Sequence, residues 1–453
     1  MSIVARLQEV LPDDQISDHP DQLAVASHDE STLPGIAPLA VVWALTTREI
    51  QKVVRLCADM SVPITSRGAG SALEGSTIPS ASGIVLDLSR MNRVVQIWPD
   101  DLQVMVEPGI VYDDLNAQLK SHGLFFPPSP GGSGDIATVG GMVSTNASGI
   151  YSVKYGGTRD YVLRLEIVTG SGEIMTLGSR AVKRSSGYNL VDLVCGSEGT
   201  LCVISKITLR LAGLPEGRLQ AAYSFDDDIR AARAVSDMAR YGLDVAAVEF
   251  FDRAIIQALN LLKDYGLDES PSLFLEFHGP EATLTANNEL ASEICREHGG
   301  RPLRLADGLR PWEIRHWATD AVKHRKPGCS IVRNDVAFPI SCLPEMVAYC
   351  HELGTKYKLT THAFGHVGMG LLHALILADQ SNPSQWQLAL KMSNEIIEKT
   401  IALEGTISGE HGIGLGHKNL FALEHGHSVE LMRAIKRQWD PLGILNPGKI
   451  FDV

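Results

Sequence analysis

The side chains with the plainest capacity for chemistry lie late in the chain. Residues 365–373 read "GHVGMGLLH", with His366 and His373 seven positions apart around Gly368 and Gly370, and Met369 between them. On a helix the two imidazoles would share a face but stand roughly 10 Å apart along the axis. One zinc ion holds each nitrogen at roughly 2.0–2.1 Å, so helical spacing fails. On one continuous strand an odd separation puts the rings on opposite faces. A shared ion therefore requires a bend, and the two glycines permit one. Taken alone, the stretch reads more readily as a tight turn than as a site. A second stretch, "SGEHGIGLGHK" (408–418), adds Glu410 beside His411 and between glycines. Two histidines and a glutamate form a known catalytic zinc set with positions left open for substrate.

Such residues need a scaffold, and the first half of the chain has its own unusual segments. "PITSRGAGSALEGS" (63–76) offers Gly68, Gly70 and Gly75, which let backbone N–H groups approach an anion closely. The spacing GxGxxxxG is neither the dinucleotide fingerprint nor a Walker loop, and the residues after Gly75 read as extended chain. Residues 127–157 are too long and too rich in glycine and hydroxyls for an ordinary connection, and "SSGYNLVDLVCGSEGTLCVIS" (185–205) is a third such segment. Three polar, glycine-rich segments suggest one extended ligand held along its length, as a dinucleotide would be. Between them, periodicity predicts a helix over 46–60 capped at Thr46 or Thr47, a helix near Tyr112–Ser121, and a hairpin around Gly170–Gly172. The texture changes near Leu214–Gly217. From about residue 213, helix and strand patterns alternate ("DDDIRAARAVSDMARYG", "VAAVEFFD", "SLFLEFHG", "TLTANNELASEICREHG"), which suggests an α+β second domain.

A length of 453 residues allows two or three domains. A net charge of −13 gives no nucleic-acid footprint, and any anion site must be local. No apolar stretch reaches membrane-spanning length, and the first residues hold acids where a signal peptide needs an apolar run. Seven scattered cysteines without a CxxC read as reduced thiols in a cytoplasmic protein, with no iron–sulfur cluster in this chain.

The order of "RGAGSALEG", "TVGGMVSTNASG", "GYNLVDLVCGSEGTL", "GHVGMGLLH", "GEHGIG" and "DPLGILNPGKIF" is specific. From about residue 29 to the end, the chain resembles the vanillyl-alcohol oxidase / p-cresol methylhydroxylase flavoprotein superfamily. Within it, the likeness is to the branch of D-lactate dehydrogenase, the glycolate oxidase FAD subunit and D-2-hydroxyglutarate dehydrogenase. The resemblance implies an α+β, two-domain flavoprotein. Residues 1–212 would form a p-cresol methylhydroxylase-type FAD-binding domain, and 213–453 a substrate and metal domain whose residues 408–453 return to the flavin. It implies that Arg67, Gly68, Ala69, Gly70, Ser71 and Gly75 wrap the FAD pyrophosphate. Pro128, Ser129, Thr138, Gly140, Gly141, Asn146 and Gly149 would line pyrophosphate and flavin. Gly196, Glu198, Gly199 and Val203 would contact the isoalloxazine or adenine side, with Asn446 beside the ring system. Gly70-Ser71-Ala72 has no histidine to attach flavin covalently, so noncovalent FAD is expected.

By the same resemblance His366, His373 and Glu410 bind a divalent metal, zinc in the first place, with manganese or iron as alternatives. His411 is the general base, and Arg315 clamps the substrate carboxylate, with Arg333 and Lys323 as alternatives. His362 and His417 would be supporting or surface residues. Met369 and Leu371 stand where the branch carries Asp and Asn, which changes how the substrate end is lined. The implied reaction moves a hydride from the Cα of a small D-2-hydroxy acid to the flavin and the hydroxyl proton to His411. Electrons would pass on to a cytochrome, a quinone or an electron-transfer protein. The chain would act as a homodimer or within a multi-subunit complex. Two other readings share the architecture: a non-redox flavoenzyme resembling alkyl-dihydroxyacetonephosphate synthase, and a non-catalytic subunit of a glycolate-oxidase-like complex.

Overall fold

A computed structural model describes residues 2–305 and 309–453. The chain divides into two compact units. The first comprises Met1–Ser148, Gly157–Leu214 and Glu410–Val453, and the second Gly149–Gly156 and Pro215–Gly409. The inclusion of Gly149–Gly156 in the second unit carries no signature in the sequence.

The first unit holds a four-stranded sheet in the order Ile16–Ser17, Ala40–Trp43, Ile84–Asp87, Ile64–Arg67, the last three strands being parallel. Parallel strands are covered on both faces, which is why "AVVW" and "IVLD" read as unbroken apolar runs. The predicted helix spans Thr47–Met60. Thr46 caps it by accepting from the Glu49 amide, while the Glu49 carboxylate accepts from the Thr46 amide. Ile50, Val53, Val54 and Cys57 recur at helical spacing and bury against Leu7, Ile64 and Leu86. The second predicted helix runs Tyr112–Lys120. A five-stranded antiparallel sheet follows, in the order Val94–Trp98, Gln103–Val106, Cys202–Arg210, Val162–Thr169, Ile174–Gly178. Its last two strands are the predicted hairpin. Gly172 turns it with φ +72°, a region closed to most L-residues.

The second unit is built on a seven-stranded antiparallel sheet. Its order is Arg301–Pro302, Gly217–Ser224, Ser272–Gly279, Ala247–Phe251, Thr360–Gly365, Leu371–Ala378, Ser330–Ala337. Strand period and register put Phe251, Phe274, Phe364, Leu375 and Ile331 on one face, where they form a core with the helices Arg253–Leu262, Pro311–His316 and Ala318–Arg325. The same face continues into Gln220, Glu276, His278, Glu249, His373 and Asp335. One side of one sheet is thus apolar at one end and polar at the other. The opposite face packs against Asp228–Arg240, Glu281–Glu297, Leu343–Tyr357 and Pro383–Ala402, with Asn334 bonded to Ser393 of the last helix.

Candidate functional site

In the first unit, the glycine-rich segments are held close to one another by backbone bonds. The Gly140 amide donates to Pro108 O at 2.7 Å, the Gly196 amide to Val143 O at 3.0 Å and the Glu198 amide to Ser144 O at 2.8 Å. Thr138 caps the helix Val139–Thr145 by accepting from the Gly141 amide. A Cβ at Gly68 would overlap Thr138 Oγ1, and one at Gly140 would meet Pro108 at 2.6 Å. Gly70, Gly75, Gly196 and Gly199 have φ between +70° and +85°. Asn146, at φ +54°, accepts from the Arg159 amide at 3.0 Å. Pro128 is buried, Ser129 and Ser71 half-buried, and Ala69 exposed. Gly149 belongs to the second unit, where its amide donates to Ser152 Oγ at 3.0 Å.

Four expected cofactor residues are otherwise engaged. The Arg67 guanidinium donates to His28 O and Val25 O, which ties the first glycine loop to the end of helix Pro20–Ala26 and the segment after it. Val203 buries its side chain in the core beside Leu86 and Val168. The Asn446 amide group bonds Thr65 Oγ1, Ser76 O and Glu198 O. The Glu198 carboxylate accepts from the Ile413 and Gly414 amides. Burial pushes it up to about 7, against the lowering effect of those two bonds and of Lys449. By contrast, Ser66 Oγ and Thr77 Oγ1, next to the first glycine loop, are buried hydroxyls without a hydrogen-bond partner. Buried polar groups are rarely left so, and a polar ligand along this loop would satisfy both. The cradle therefore fits FAD.

In the second unit, "GHVGMGLLH" makes the bend that a shared ion requires. The strand Thr360–Gly365 ends in a single 3₁₀ turn, Val367–Met369, and the chain returns as Leu371–Ala378. Gly370 has φ +74°, and a Cβ there would overlap Phe338 O. The ring centroids of His366 and His373 come within 5.5 Å. Behind each ring stands a buried carboxylate. His366 Nδ1 bonds Glu249, and His373 Nδ1 lies 3.4 Å from Asp335 Oδ1. At His366 the bonded carboxylate on Nδ1 fixes the tautomer that turns the Nε2 lone pair toward a metal, and His373 stands beside a second buried carboxylate, so this donor set fits one. Glu249 also accepts from Arg315 Nε at 3.0 Å. Burial alone would raise Glu249, but the charges and hydrogen bonds of His366 and Arg315 outweigh it and hold its carboxyl at about 2. Arg315 is buried, not a surface arginine, and lies over the Phe364 ring at 5.3 Å. Arg333 is half-buried on the Asp335 strand, and Lys323 is exposed and pairs with Asp320.

The chain passes from the second unit to the first at the Gly409–Glu410 peptide bond. The Gly409 amide donates to Asp335 O at 2.8 Å. Glu410 then accepts from Ser148 Oγ at 3.0 Å, and His411 Nε2 lies 3.9 Å from Glu410 Oε1. His362 and His417 are both buried, so neither is a surface residue. Burial lowers His362 to about 4, and His417 faces Glu74 at 3.7 Å. Met369 is 43% exposed, and Leu371 is buried.

Sequence reading missed Glu249 and Asp335. The signal was present: each is an acid inside an apolar run ("AVEFF", "IVRNDVA"), and a charge in a buried strand persists only with a partner.

A glycine cradle for a dinucleotide in one unit and paired histidines backed by carboxylates in the other define a flavin-linked oxidoreductase. Residues 38–178 match the family pattern described as "FAD binding domain", and residues 214–450 match "FAD linked oxidases, C-terminal domain". The chain belongs to the FAD-linked oxidase family. It is 34% identical over its full length to a protein named "Probable D-lactate dehydrogenase, mitochondrial" of Danio rerio, of which the match covers 92%. It is 33% identical to "Glycolate oxidase subunit GlcD" of Bacillus subtilis, over 94% of this chain and 92% of that one. The fold is that of p-cresol methylhydroxylase (TM-score 0.84, 18% identity, 99% of this chain and 96% of that one) and of alkyldihydroxyacetonephosphate synthase (TM-score 0.78, 19% identity, 99% and 84%). Among the described residues, no helix is long and apolar enough to cross a membrane. All seven cysteines are free thiols.

Proposed function

We propose that this protein oxidises a small D-2-hydroxy acid to the 2-oxo acid, using noncovalent FAD and a divalent metal. The observation that carries the reading is the pair of histidines, His366 and His373, each with a buried carboxylate behind Nδ1. The names of the curated relatives, D-lactate dehydrogenase and glycolate oxidase subunit, support the substrate class. The donor set we assign to the metal is His366, His373 and Glu410, with Asp335 as a fourth candidate. Glu410 enters this set from the motif "GEHG" alone. The glycine-rich segments of the first unit would hold FAD, which would supply the hydride acceptor for the substrate Cα–H. A divalent metal held by these residues would supply a Lewis acid for the hydroxy-acid substrate.

The protein's own residues do the rest. Arg315, its Nε held by Glu249, offers its remaining N–H groups to the substrate carboxylate. His411 takes the hydroxyl proton on a ring nitrogen. Residues 410–453, which count with the first unit, return to the flavin, with the domain boundary near residue 213. Electrons leave for a cytochrome, a quinone or an electron-transfer protein. Seven unpaired thiols suit a reducing compartment, which we take to be the cytoplasm. The likeness to alkyldihydroxyacetonephosphate synthase speaks for the fold only.

The test is dye reduction by the purified holoprotein over a panel of D- and L-2-hydroxy acids, with metal analysis of the same sample. Reduction by D-acids with near-stoichiometric metal is expected. No reduction with any 2-hydroxy acid overturns the proposal.

A further inference from the structure

The Glu198 carboxylate holds the backbone that carries Glu410 and His411. One oxygen accepts from the Ile413 amide at 2.7 Å and the other from the Gly414 amide at 2.9 Å. The two amides form a small anion-binding turn with Gly412 at φ +85° and Gly414 at φ +50°, and the anion is a side chain of the protein itself. The fit is close: a Cβ at Gly412 would meet Glu198 Cδ at 2.9 Å, and one at Gly414 would overlap Glu74 O. Beyond the turn, the Leu415 and Gly416 amides donate to Glu74 O, and the Ile450 amide donates to Gly414 O. Glu198 is anchored on its other side. Its own amide donates to Ser144 O, its carbonyl accepts from Asn446 Nδ2 at 2.7 Å, and it is a non-glycine residue held at φ +50°. A buried carboxylate with two charge-assisted bonds fixes its partners firmly, because losing either leaves a desolvated amide.

We propose that Glu198 is a positioning residue for His411: through the Ile413 and Gly414 amides, it locks the turn bearing Glu410 and His411 to the glycine-rich segments around Ser144 and Asn446. This rests on the reading of His411 as proton acceptor. Both Glu198 carboxylate oxygens are occupied by the Ile413 and Gly414 amides. The role of Glu198 is to keep the accepting nitrogen at a fixed position relative to the loops that form the cradle. Positioning errors of about 1 Å can cost about 10²-fold in rate.

Glu198→Gln keeps the size and removes one acceptor, because the amide NH₂ cannot accept from the second N–H. The holoprotein variant is expected to keep FAD, read from its flavin absorption per chain. Its kcat should fall at least about tenfold with little change in KM. Amide exchange over 410–416 should quicken while that over 143–144 stays slow. Gly412→Ala, which pushes the turn away and leaves the carboxylate in place, should lower kcat in the same way, again with little change in KM. His411→Asn is the control. Wild-type turnover in His411→Asn would overturn the proton-acceptor assignment and this inference with it. A large loss in His411→Asn with wild-type kcat and wild-type amide exchange over 410–416 in Glu198→Gln overturns this inference alone. Loss of FAD from both Glu198→Gln and Gly412→Ala also overturns it, in favour of a direct cofactor role.

Discussion

His366 and His373 are set up by what stands behind them. Glu249 bonds His366 Nδ1 and Asp335 lies beside His373 Nδ1, so the tautomer of His366 and the charge behind both rings are decided outside "GHVGMGLLH" itself. Glu249→Gln should therefore lower metal affinity about tenfold or more, measured as metal retained through graded chelator dialysis; unchanged retention would argue that the pairing has no part in metal binding. His366→Ala should lose both metal and turnover, and full metal stoichiometry in that variant refutes it as a ligand. In the other unit, Gly68→Ala would press on Thr138, and the expected result is a chain that folds but carries little FAD, read from its flavin absorption. Met369 lies exposed where the resembling branch has an acid. Met369→Asp is expected to shift preference between short and bulky 2-hydroxy acids more than it changes the best rate. An unchanged ranking counts against that role.

Two elements depend on polar junctions whose strength can be measured. The capping box of helix Thr47–Met60 satisfies amides that the helix leaves open, so Thr46→Ala should cost about 1 kcal/mol in denaturant unfolding. In the second unit, His351 of helix Leu343–Tyr357 lies 3.6 Å from Asp228 and 3.4 Å from Asp252, and Asp252 caps helix Arg253–Leu262 and accepts from the Ala363 amide. A hydrogen bond to Asp252 raises His351 above 6.5, while burial and the charge of Asp252 raise Asp228 from 3.8 to about 6. A group whose pKa is raised by folding stabilises the fold below its unfolded value, and that support is lost as pH climbs through the folded value. Asp228 thus gives up its support between about pH 4 and 6, and His351 above about 6.5. The stability gap between the wild type and His351→Gln should be wider at pH 5.5 than at pH 8.5, read by urea unfolding. An equal gap at both would show that the ion pairs do not hold this junction.

At the scale of the whole molecule, treatment with a chelator is expected to abolish dye reduction while flavin absorption stays, and added zinc or manganese should restore it. Loss that no divalent ion restores would place the requirement elsewhere. Much of this organisation was legible in the sequence because it is local. The capped helix at 47–60, the hairpin at Gly170–Gly172 and the strands "AVEFF" and "SLFLEFHG" follow from spacing and turn chemistry over a few residues. The glycine segments suggest an extended ligand because glycine lets backbone N–H groups approach closely, and the seven-residue interval requires a bend if both histidines are to share one ion. The sequence could not say that Glu198 spends its carboxylate on two amides more than two hundred positions away, or that Arg67 turns back to His28 O. Nor could it pair Glu249 with His366 and Arg315, or Asp335 with His373. Those partnerships depend on strand register, and register is fixed by which face of the sheet is buried, a property of the packed chain and of no short stretch within it. The residue types and their turns were set by the sequence alone; which carboxylate serves which histidine was decided only in the tertiary structure.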